Sequence, residues 1–229
     1  FRPPLTMAAA VLPLVIGPRV AHTASVIFLH GIGDTGHGWT HVMDMFSPQL
    51  PHVKFILPTA PERPVTRFGG QVSNAWFDLV GTAERADEPC QGIEDSQRMV
   101  EQLIADEVAA GVQADRIVLG GFSQGAGLSY FTGLQSPHTL AGILILSGYL
   151  PRTRDTPVKN TATPILQCHG TSDTMVLMDW GLQGMSRATD AGCQVDFRTY
   201  PGLPHSVSEP ELAHILDWPP HTPPLPLGK

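Results

Sequence analysis

The chain has 229 residues, of which 42% are hydrophobic and 15% charged, and its formal net charge at neutral pH is −7. This length and composition predict a single α/β domain, residues 1–229, with a sizeable core. The negative charge and the lack of a Lys/Arg cluster argue against nucleic acid as a partner and against docking on anionic lipid. No apolar run reaches the length of a bilayer-spanning helix, so we expect a soluble protein without stable membrane insertion.

Cysteine and histidine usage bears on the cellular compartment and on metal binding. The three cysteines, Cys90, Cys168 and Cys193, form an odd and widely spaced set without zinc-ligand spacing, which favours a reducing compartment and a cytoplasmic location. The ten histidines contain no H-E-x-x-H zinc motif. We therefore expect no metal and no other cofactor.

The N-terminal segment carries the first structural expectations. Residues 1–6 precede Met7, so we treat them as an upstream extension and take Met7 as the expected start. The apolar stretch from Ala8 to Ile16 lacks a basic flank and contains Pro13, which favours an edge strand over a secretory signal.

A buried strand and a glycine loop come next. The run from Ser25 to His30 is typical of a parallel strand, and it ends in GIGDTG at residues 31–36. Such a loop lets backbone N–H groups point into a cavity, as stabilisation of an oxyanion requires. The alternative is a phosphate-binding loop, but the Gly-Lys-Ser/Thr ending is missing. We interpret His30, at the mouth of the loop, as a packing residue.

The next predicted elements are an amphipathic helix over residues 39–50 and a short strand from Val53 to Leu57. The connection from Pro58 to Ala75 is rich in Pro, Gly and Thr, and loops of this length are often functional. It contains Phe68 and Val72 and leads to the aromatic pair at residues 76–77. We expect it to form one wall of an apolar slot beside Ser123, the candidate nucleophile described below.

The second half of the chain alternates helices with strands, after an acidic stretch from Glu84 to Glu88 that we interpret as a solvated surface loop. The alternation predicts a mainly parallel sheet with helices on both faces. The predicted helices span residues 92–110, 124–134, 179–191 and 209–218, and the predicted strands span residues 116–120, 143–146, 164–168 and 195–200. A proline-rich tail from Pro219 to Leu227 follows the last helix.

One serine has the local sequence of a catalytic nucleophile. Ser123 is the centre of Gly121-Phe122-Ser123-Gln124-Gly125, a G-x-S-x-G motif between a predicted strand and a predicted helix. The flanking glycines permit the sharp turn that presents a serine hydroxyl to a base. The motif alone is weak, and the alternative is a glycine-rich turn with an incidental serine. The strand-turn-helix context favours the nucleophile.

An acid and a histidine complete a candidate triad. Asp173 and His205 follow predicted strands, as Ser123 does, and ligand-facing groups of parallel sheets collect at such positions. The order Ser, Asp, His is that of α/β-hydrolases. His205 would act as general base on Ser123, and Asp173 would fix the tautomer of the histidine. The competing candidates are His169 for the base and Asp78 or Asp190 for the acid.

Six sequence blocks together resemble one family of esterases. The blocks are LHGIGDTGHGW (29–39), PTAPERPVT (58–66), WFD (76–78), GGFSQGAGLS (120–129), QCHGTSD (167–173) and PH (204–205). From about Leu12 to Trp218, the chain is similar to the acyl-protein thioesterases and lysophospholipase-like carboxylesterases of the α/β-hydrolase fold. The resemblance implies a triad of Ser123, Asp173 and His205. It also implies an oxyanion hole formed by the backbone N–H groups of Ile32 and Gln124.

The resemblance also implies a function. Members of the family cleave thioesters of palmitoylated cysteines, carboxyl esters and lysophospholipids, and they hold the acyl chain in an apolar channel. We assign this channel to Phe68, Trp76, Met175 and Val176. The expected substrates are acylated proteins or small acyl esters, and apolar residues around the channel would allow a weak homodimer. A general short-chain carboxylesterase or lysophospholipase is the alternative, and a non-catalytic acyl-binding module is a rival of another class.

The chain departs from the family pattern near the expected site. Ala126 stands where a third elbow glycine is usual, and Tyr149 stands where Trp is frequent. Asn74-Ala75 replaces the usual residues before Trp76, and the loop from Arg67 to Val72 has two glycines and a charge where some relatives have an apolar lid. These departures bear on the acyl-chain preference and leave the expected triad untouched.

Overall fold

The structure is a computed structural model that describes residues 12–81 and 85–218. The strands are β1 (Leu14–Ile16), β2 (Ala24–Leu29), β3 (Val53–Leu57), β4 (Glu62–Val65), β5 (Gln71–Asn74), β6 (Ile117–Phe122), β7 (Gly142–Leu146), β8 (Ile165–Gly170) and β9 (Val195–Tyr200). The helices are α1 (Thr40–Phe46), α2 (Ile93–Ala109), α3 (Gln124–Gly133), α4 (Met178–Asp190) and α5 (Glu209–Asp217). The expectations for the start at Met7 and for the proline-rich tail lie outside the described residues.

Seven of these strands form one sheet in the order β1-β3-β2-β6-β7-β8-β9. Neighbouring strands are parallel except β1, which pairs antiparallel with β3 at the sheet edge. The mainly parallel α/β architecture is therefore confirmed, as is an edge strand in the described part of the stretch ending at Ile16. Because the carboxyl ends of parallel strands meet at one edge, the loops after β2, β6, β8 and β9 lie together there.

Helices cover both faces of the sheet, and side chains alternate between the faces along each strand. Phe28 of β2 packs with Met43 and Phe46 of α1 and with apolar residues of α5. Its neighbours Ile27 and Leu29 pack on the opposite face with α2 and α3, and α4 joins α3 on that same face. Two apolar layers therefore fix the sheet from both sides and hold its strand ends in position.

Two expectations for the region between β3 and α2 are wrong. The connection over residues 58–75 is not a loop throughout, because β4 and β5 form an antiparallel hairpin within it. The described part of the acidic stretch is only partly solvated, since Asp87 is exposed but Arg85 is 5% exposed and Glu88 is completely buried. Arg85 Nη1 donates to Glu88 Oε2 at 2.7 Å. Charges are buried in proteins when they are paired in this way, and this pairing accounts for the error.

Some predicted boundaries also shift. The helix expected over residues 39–50 is shorter, because a 3-10 turn occupies Gly36–Trp39 and α1 ends at Phe46. Pro48 lacks the N–H that a further helical turn would need. Within residues 12–81 and 85–218, no helix is both long and apolar enough to cross a bilayer.

Glu211 in the first turn of α5 is buried and only partly hydrogen-bonded. Its Oε2 accepts the Ser208 N–H at 3.3 Å in a capping box. Its Oε1 has no partner within the part of the chain that the structure describes. Burial raises the pKa of this carboxyl to about 7, although the Ser208 N–H acts in the opposite direction.

Replacing Glu211 by glutamine is expected to stabilise the protein by roughly 1–2 kcal/mol at about pH 8 and to change little at about pH 5. The pKa of the group rises on folding, so its contribution to stability is complete below 4.5 and is lost as the pH rises through about 7. Chemical unfolding at both pH values measures the effect. The same change in the free energy of unfolding at both values would contradict the raised pKa.

Candidate active site

Ser123 occupies a sharp turn between β6 and α3. Its backbone φ of 55° and ψ of −118° lie in a region that residues other than glycine rarely adopt. The glycines on either side have no room for a side chain. A Cβ on Gly121 would lie 2.7 Å from the Leu29 carbonyl oxygen, and one on Gly125 would lie 2.5 Å from the His30 carbonyl oxygen. The turn therefore packs directly against the end of β2 and presents the serine at the carboxyl edge of the sheet.

The structure brings Ser123, Asp173 and His205 together, as the sequence predicts. His205 Nδ1 donates to Asp173 Oδ2 at 2.7 Å, and the Ser123 hydroxyl donates to His205 Nε2 at 2.9 Å. An ionised carboxylate only accepts hydrogen bonds, so Nδ1 carries the proton and Nε2 is the acceptor. This geometry allows the histidine to take the proton of the serine.

Asp173 is held as a carboxylate. Its Oδ1 accepts the N–H groups of Met175 and Val176, each at 2.9 Å. Burial alone would raise the pKa of Asp173, but the hydrogen bonds from His205, Val176 and Met175 outweigh it and hold the pKa below its usual value. The group is therefore charged at neutral pH, and it can orient the imidazole and stabilise its protonated form.

The competing candidates make other hydrogen bonds, although His169 Nε2 also lies 3.6 Å from Asp173 Oδ2. His169 is buried, its Nε2 donates to the Val176 carbonyl oxygen at 2.8 Å, and burial lowers its pKa. Asp78 accepts the N–H and the hydroxyl of Thr66 at 2.8 and 2.6 Å, so it organises the turn that follows β4. Asp190 ends α4 at an exposed position. The ion pairs of the described chain join His205 to Asp173 and to no other acid.

Ile32 and Gln124 line the same cleft as Ser123. Gln124 is the first residue of α3, and N–H groups in the first turn of a helix have no acceptor within it. Ile32 lies in the glycine loop, whose shape is fixed by the Gly33 N–H, which donates to the Asn74 carbonyl oxygen at 2.8 Å. Both residues therefore remain candidates for the backbone donors of an oxyanion hole.

The side chain of Gln124 has a structural role that the motif does not reveal. Its Oε1 accepts the Trp76 N–H at 2.9 Å, and its Nε2 donates to the Phe77 carbonyl oxygen at 2.8 Å. His30 supports the same region, because it accepts the Ala60 N–H at 2.9 Å through Nε2. The interpretation of His30 as a packing residue agrees with these contacts and with its complete burial.

A cavity of about 420 Å³ opens at Ser123. Three of the four residues assigned to the acyl channel line it, namely Phe68, Met175 and Val176. Trp76 does not, because its side chain is completely buried and its Nε1 donates to the His30 carbonyl oxygen at 2.8 Å. Val72 also lies outside the lining, on the exposed surface of the hairpin. The assignment of Trp76 to the channel is therefore wrong.

Sequence reasoning missed other residues of the cleft. The Phe122 ring packs on the His205 ring at a centroid distance of 4.7 Å. The position of Phe122 next to Ser123 in the G-x-S-x-G motif is the sequence feature that could have indicated this contact. Arg85 and Tyr149 also line the cavity. The sequence places Arg85 in a stretch that is predicted to be a solvated loop. Its burial at the cleft is explained only by its pairing with Glu88 in the structure.

A family model described as phospholipase/carboxylesterase matches residues 11–218. The acyl-protein thioesterase 1 of Neurospora crassa is 41% identical over 219 residues, which cover 90% of this chain and 89% of that protein. Among solved structures, acyl-protein thioesterase 2 of Zea mays superposes with a TM-score of 0.81 and 30% identity, covering 90% of this chain and 96% of that one. Arabidopsis thaliana SOBER1 gives a TM-score of 0.79 and 33% identity, with coverages of 86% and 97%. The chain therefore belongs to the phospholipase/carboxylesterase family and has its α/β-hydrolase fold.

Proposed function

We propose that the protein is a serine hydrolase that cleaves acyl thioesters and carboxyl esters through an acyl-Ser123 intermediate, with acylated proteins as its main substrates. The observation that carries the proposal is the hydrogen-bonded chain from Ser123 through His205 to Asp173. The relatives named acyl-protein thioesterase support the choice of substrate.

The proposed reaction proceeds in two halves. Ser123 Oγ attacks the acyl carbon while His205 Nε2 takes its proton, and the N–H groups of Ile32 and Gln124 stabilise the oxyanion. The protonated His205 then gives the proton to the departing thiolate or alkoxide, which leaves the acyl group on Ser123. Water, deprotonated by His205, then attacks the acyl carbon. The bond from that carbon to Ser123 Oγ breaks, His205 returns the proton to Oγ, and the carboxylic acid is released. All of these steps use side chains and backbone groups of the chain itself.

Two alternative functions differ in how well the geometry of the site fits them. A general short-chain carboxylesterase or lysophospholipase would use the same three residues and differ only in the acyl groove. A non-catalytic acyl-binding module would gain nothing from Asp173 and His205 in hydrogen-bond contact with the serine. The geometry therefore favours turnover over binding alone.

We also propose a cytoplasmic location. The supporting observation is that Cys90, Cys168 and Cys193 are all free and all buried. Burial raises the pKa of Cys90 and of Cys168 to about 12, so both remain unreactive thiols. A reducing compartment suits such a set of cysteines.

Paired thioester and oxygen-ester substrates with the same acyl groups, short and long, test the proposed function. We expect both linkages to be cleaved and the rate on thioesters to rise with acyl length, since each added methylene contributes about 0.8 kcal/mol until the groove is full. A preference for short oxygen esters would instead identify a general carboxylesterase. Binding of acyl groups without turnover would contradict hydrolysis altogether.

A further inference from the structure

His169 lies near the end of β8, with its imidazole against the turn that carries Asp173. The side chain is completely buried, and its Nε2 donates to the Val176 carbonyl oxygen at 2.8 Å. A carbonyl oxygen only accepts hydrogen bonds, so Nε2 carries the proton of the imidazole. Burial lowers the pKa of His169, which keeps the ring uncharged at neutral pH.

The acceptor of this hydrogen bond belongs to the turn that holds the acid. The Val176 N–H donates to Asp173 Oδ1 at 2.9 Å. Val176 is therefore bonded through its N–H to Asp173 and through its carbonyl oxygen to His169. Loss of the His169 donor would remove a hydrogen bond from a buried residue of this turn, and the turn would gain freedom to move.

His169 also lies close to the carboxylate itself. Its Nε2 is 3.6 Å from Asp173 Oδ2, the oxygen that accepts the His205 Nδ1–H at 2.7 Å. The longer distance exceeds that of a direct hydrogen bond. Because the His169 ring is neutral, it adds no charge that would compete with His205 for the carboxylate. His169 therefore supports the acid from one side and leaves its bond to His205 intact.

Helix α4 holds the other side of the imidazole. A Cβ on Gly181 would lie 2.9 Å from His169 Nδ1 and 3.1 Å from Gln167 Nε2, so the backbone of α4 packs directly against the ring. Gln167 Nε2 donates to the Gly181 carbonyl oxygen at 3.0 Å, which ties the helix to β8 at this point. The imidazole is thus confined between α4 and the turn of Asp173.

We propose that His169 is a positioning residue of the reaction, which holds the turn of residues 173–176 so that the Asp173 carboxylate meets His205 in the geometry needed for proton transfer. His169 does not line the cleft, so it acts through Asp173 and not on the substrate. This inference rests on the proposed function, because the orientation of Asp173 affects turnover only if the three residues form a working triad.

Two substitutions of His169 separate the hydrogen bond from the packing. His169→Gln keeps an N–H donor near the place of Nε2, whereas His169→Leu fills much of the same space without a donor. We expect His169→Leu to lower kcat on a thioester by roughly tenfold or more, with a smaller change in KM. His169→Gln should keep kcat within roughly threefold of the wild type. An equal loss of kcat in the two variants would contradict the role of the hydrogen bond.

A double-mutant cycle measures whether the effect passes through Asp173. The Asp173→Asn variant lacks the carboxylate, so addition of His169→Leu to it should lower kcat by no more than roughly threefold. A residue that only stabilised the fold would cause the same fractional loss with and without the carboxylate. Equal losses in the two backgrounds would therefore refute the positioning role.

Gly181→Ala tests the same role without changing the imidazole, and it decides the question if His169→Leu fails to fold. The new methyl group would displace the His169 ring, so kcat should fall by roughly fivefold or more. Gly184→Ala is the matched control, because Gly184 is also a buried glycine of α4. The nearest contacts of its new methyl group would be Leu150 and Tyr130, and kcat should stay near that of the wild type.

The outcomes separate the two proposals. If the wild type turns over its substrates and Gly181→Ala has the same kcat as Gly184→Ala, the role of His169 is refuted and the hydrolase stands. If the wild type hydrolyses neither thioesters nor oxygen esters, the proposed function fails and the role of His169 fails with it.

Discussion

Replacing Ser123 by alanine is expected to lower kcat on any ester or thioester substrate by about 10⁵- to 10⁶-fold. The substitution removes the atom that would form the acyl-enzyme, and His205 is left with no hydroxyl to deprotonate. The proposed oxyanion donors, the backbone N–H groups of Ile32 and Gln124, remain, so a small residual acceleration over the uncatalysed reaction should persist. Steady-state hydrolysis of a chromogenic ester measures the loss.

Ser186→Ala serves as the control for this prediction, because Ser186 is an exposed serine of α4. It should retain wild-type kcat. Mass spectrometry of the quenched reaction provides a second readout, since the acyl adduct should form on the wild type and be absent from the Ser123 variant. Activity of the Ser123 variant near that of the wild type would refute the assignment of the nucleophile.

Replacing Asp173 by asparagine is expected to lower kcat/KM by about 10⁴-fold while leaving the fold intact. The new amide can keep its oxygen towards the N–H groups of Met175 and Val176. Its NH₂ group then faces His205 Nδ1, which must become an acceptor. The proton moves to Nε2, and the histidine can no longer accept from Ser123.

The competing acids provide the controls for this second prediction. Asp78→Asn and Asp190→Asn should each change kcat/KM by no more than about threefold, because neither residue contacts His205. Circular dichroism and thermal unfolding would show that Asp173→Asn is folded. A large loss of activity in either control, with Asp173→Asn active, would move the role of the acid to another residue.

The parallel sheet and the placement of the triad were predictable because both depend on local patterns. Buried strands appear in the sequence as short apolar runs. The candidate catalytic residues Ser123, Asp173 and His205 each follow a predicted strand. All parallel strands end at the same edge of the sheet. Residues that follow different strands in the sequence therefore lie close together in space. No long-range information was needed for this part of the fold.

The errors arose where a residue depends on a partner distant in space or on an unusual pairing. Glu88 reads as a surface acid, and only its contacts with Arg85 and with two backbone N–H groups make its burial possible. Trp76 reads as a wall of an apolar slot, yet its N–H groups bond to Gln124 and His30 inside the core. The strands β4 and β5 contain exposed and partly buried residues, so they lack the apolar run that predicts a strand.

The two hydrogen bonds from the Gln124 side chain to Trp76 and Phe77 limit how the active site can move. They join the turn that carries the nucleophile to the segment that follows the β4–β5 hairpin, so each part holds the other in position. The hairpin tip is tied to the same segment, because the N–H and the hydroxyl of Thr66 donate to Asp78 and the Arg67 N–H donates to the Leu79 carbonyl oxygen. The turn that carries the nucleophile is thus held in its catalytic geometry before a substrate binds.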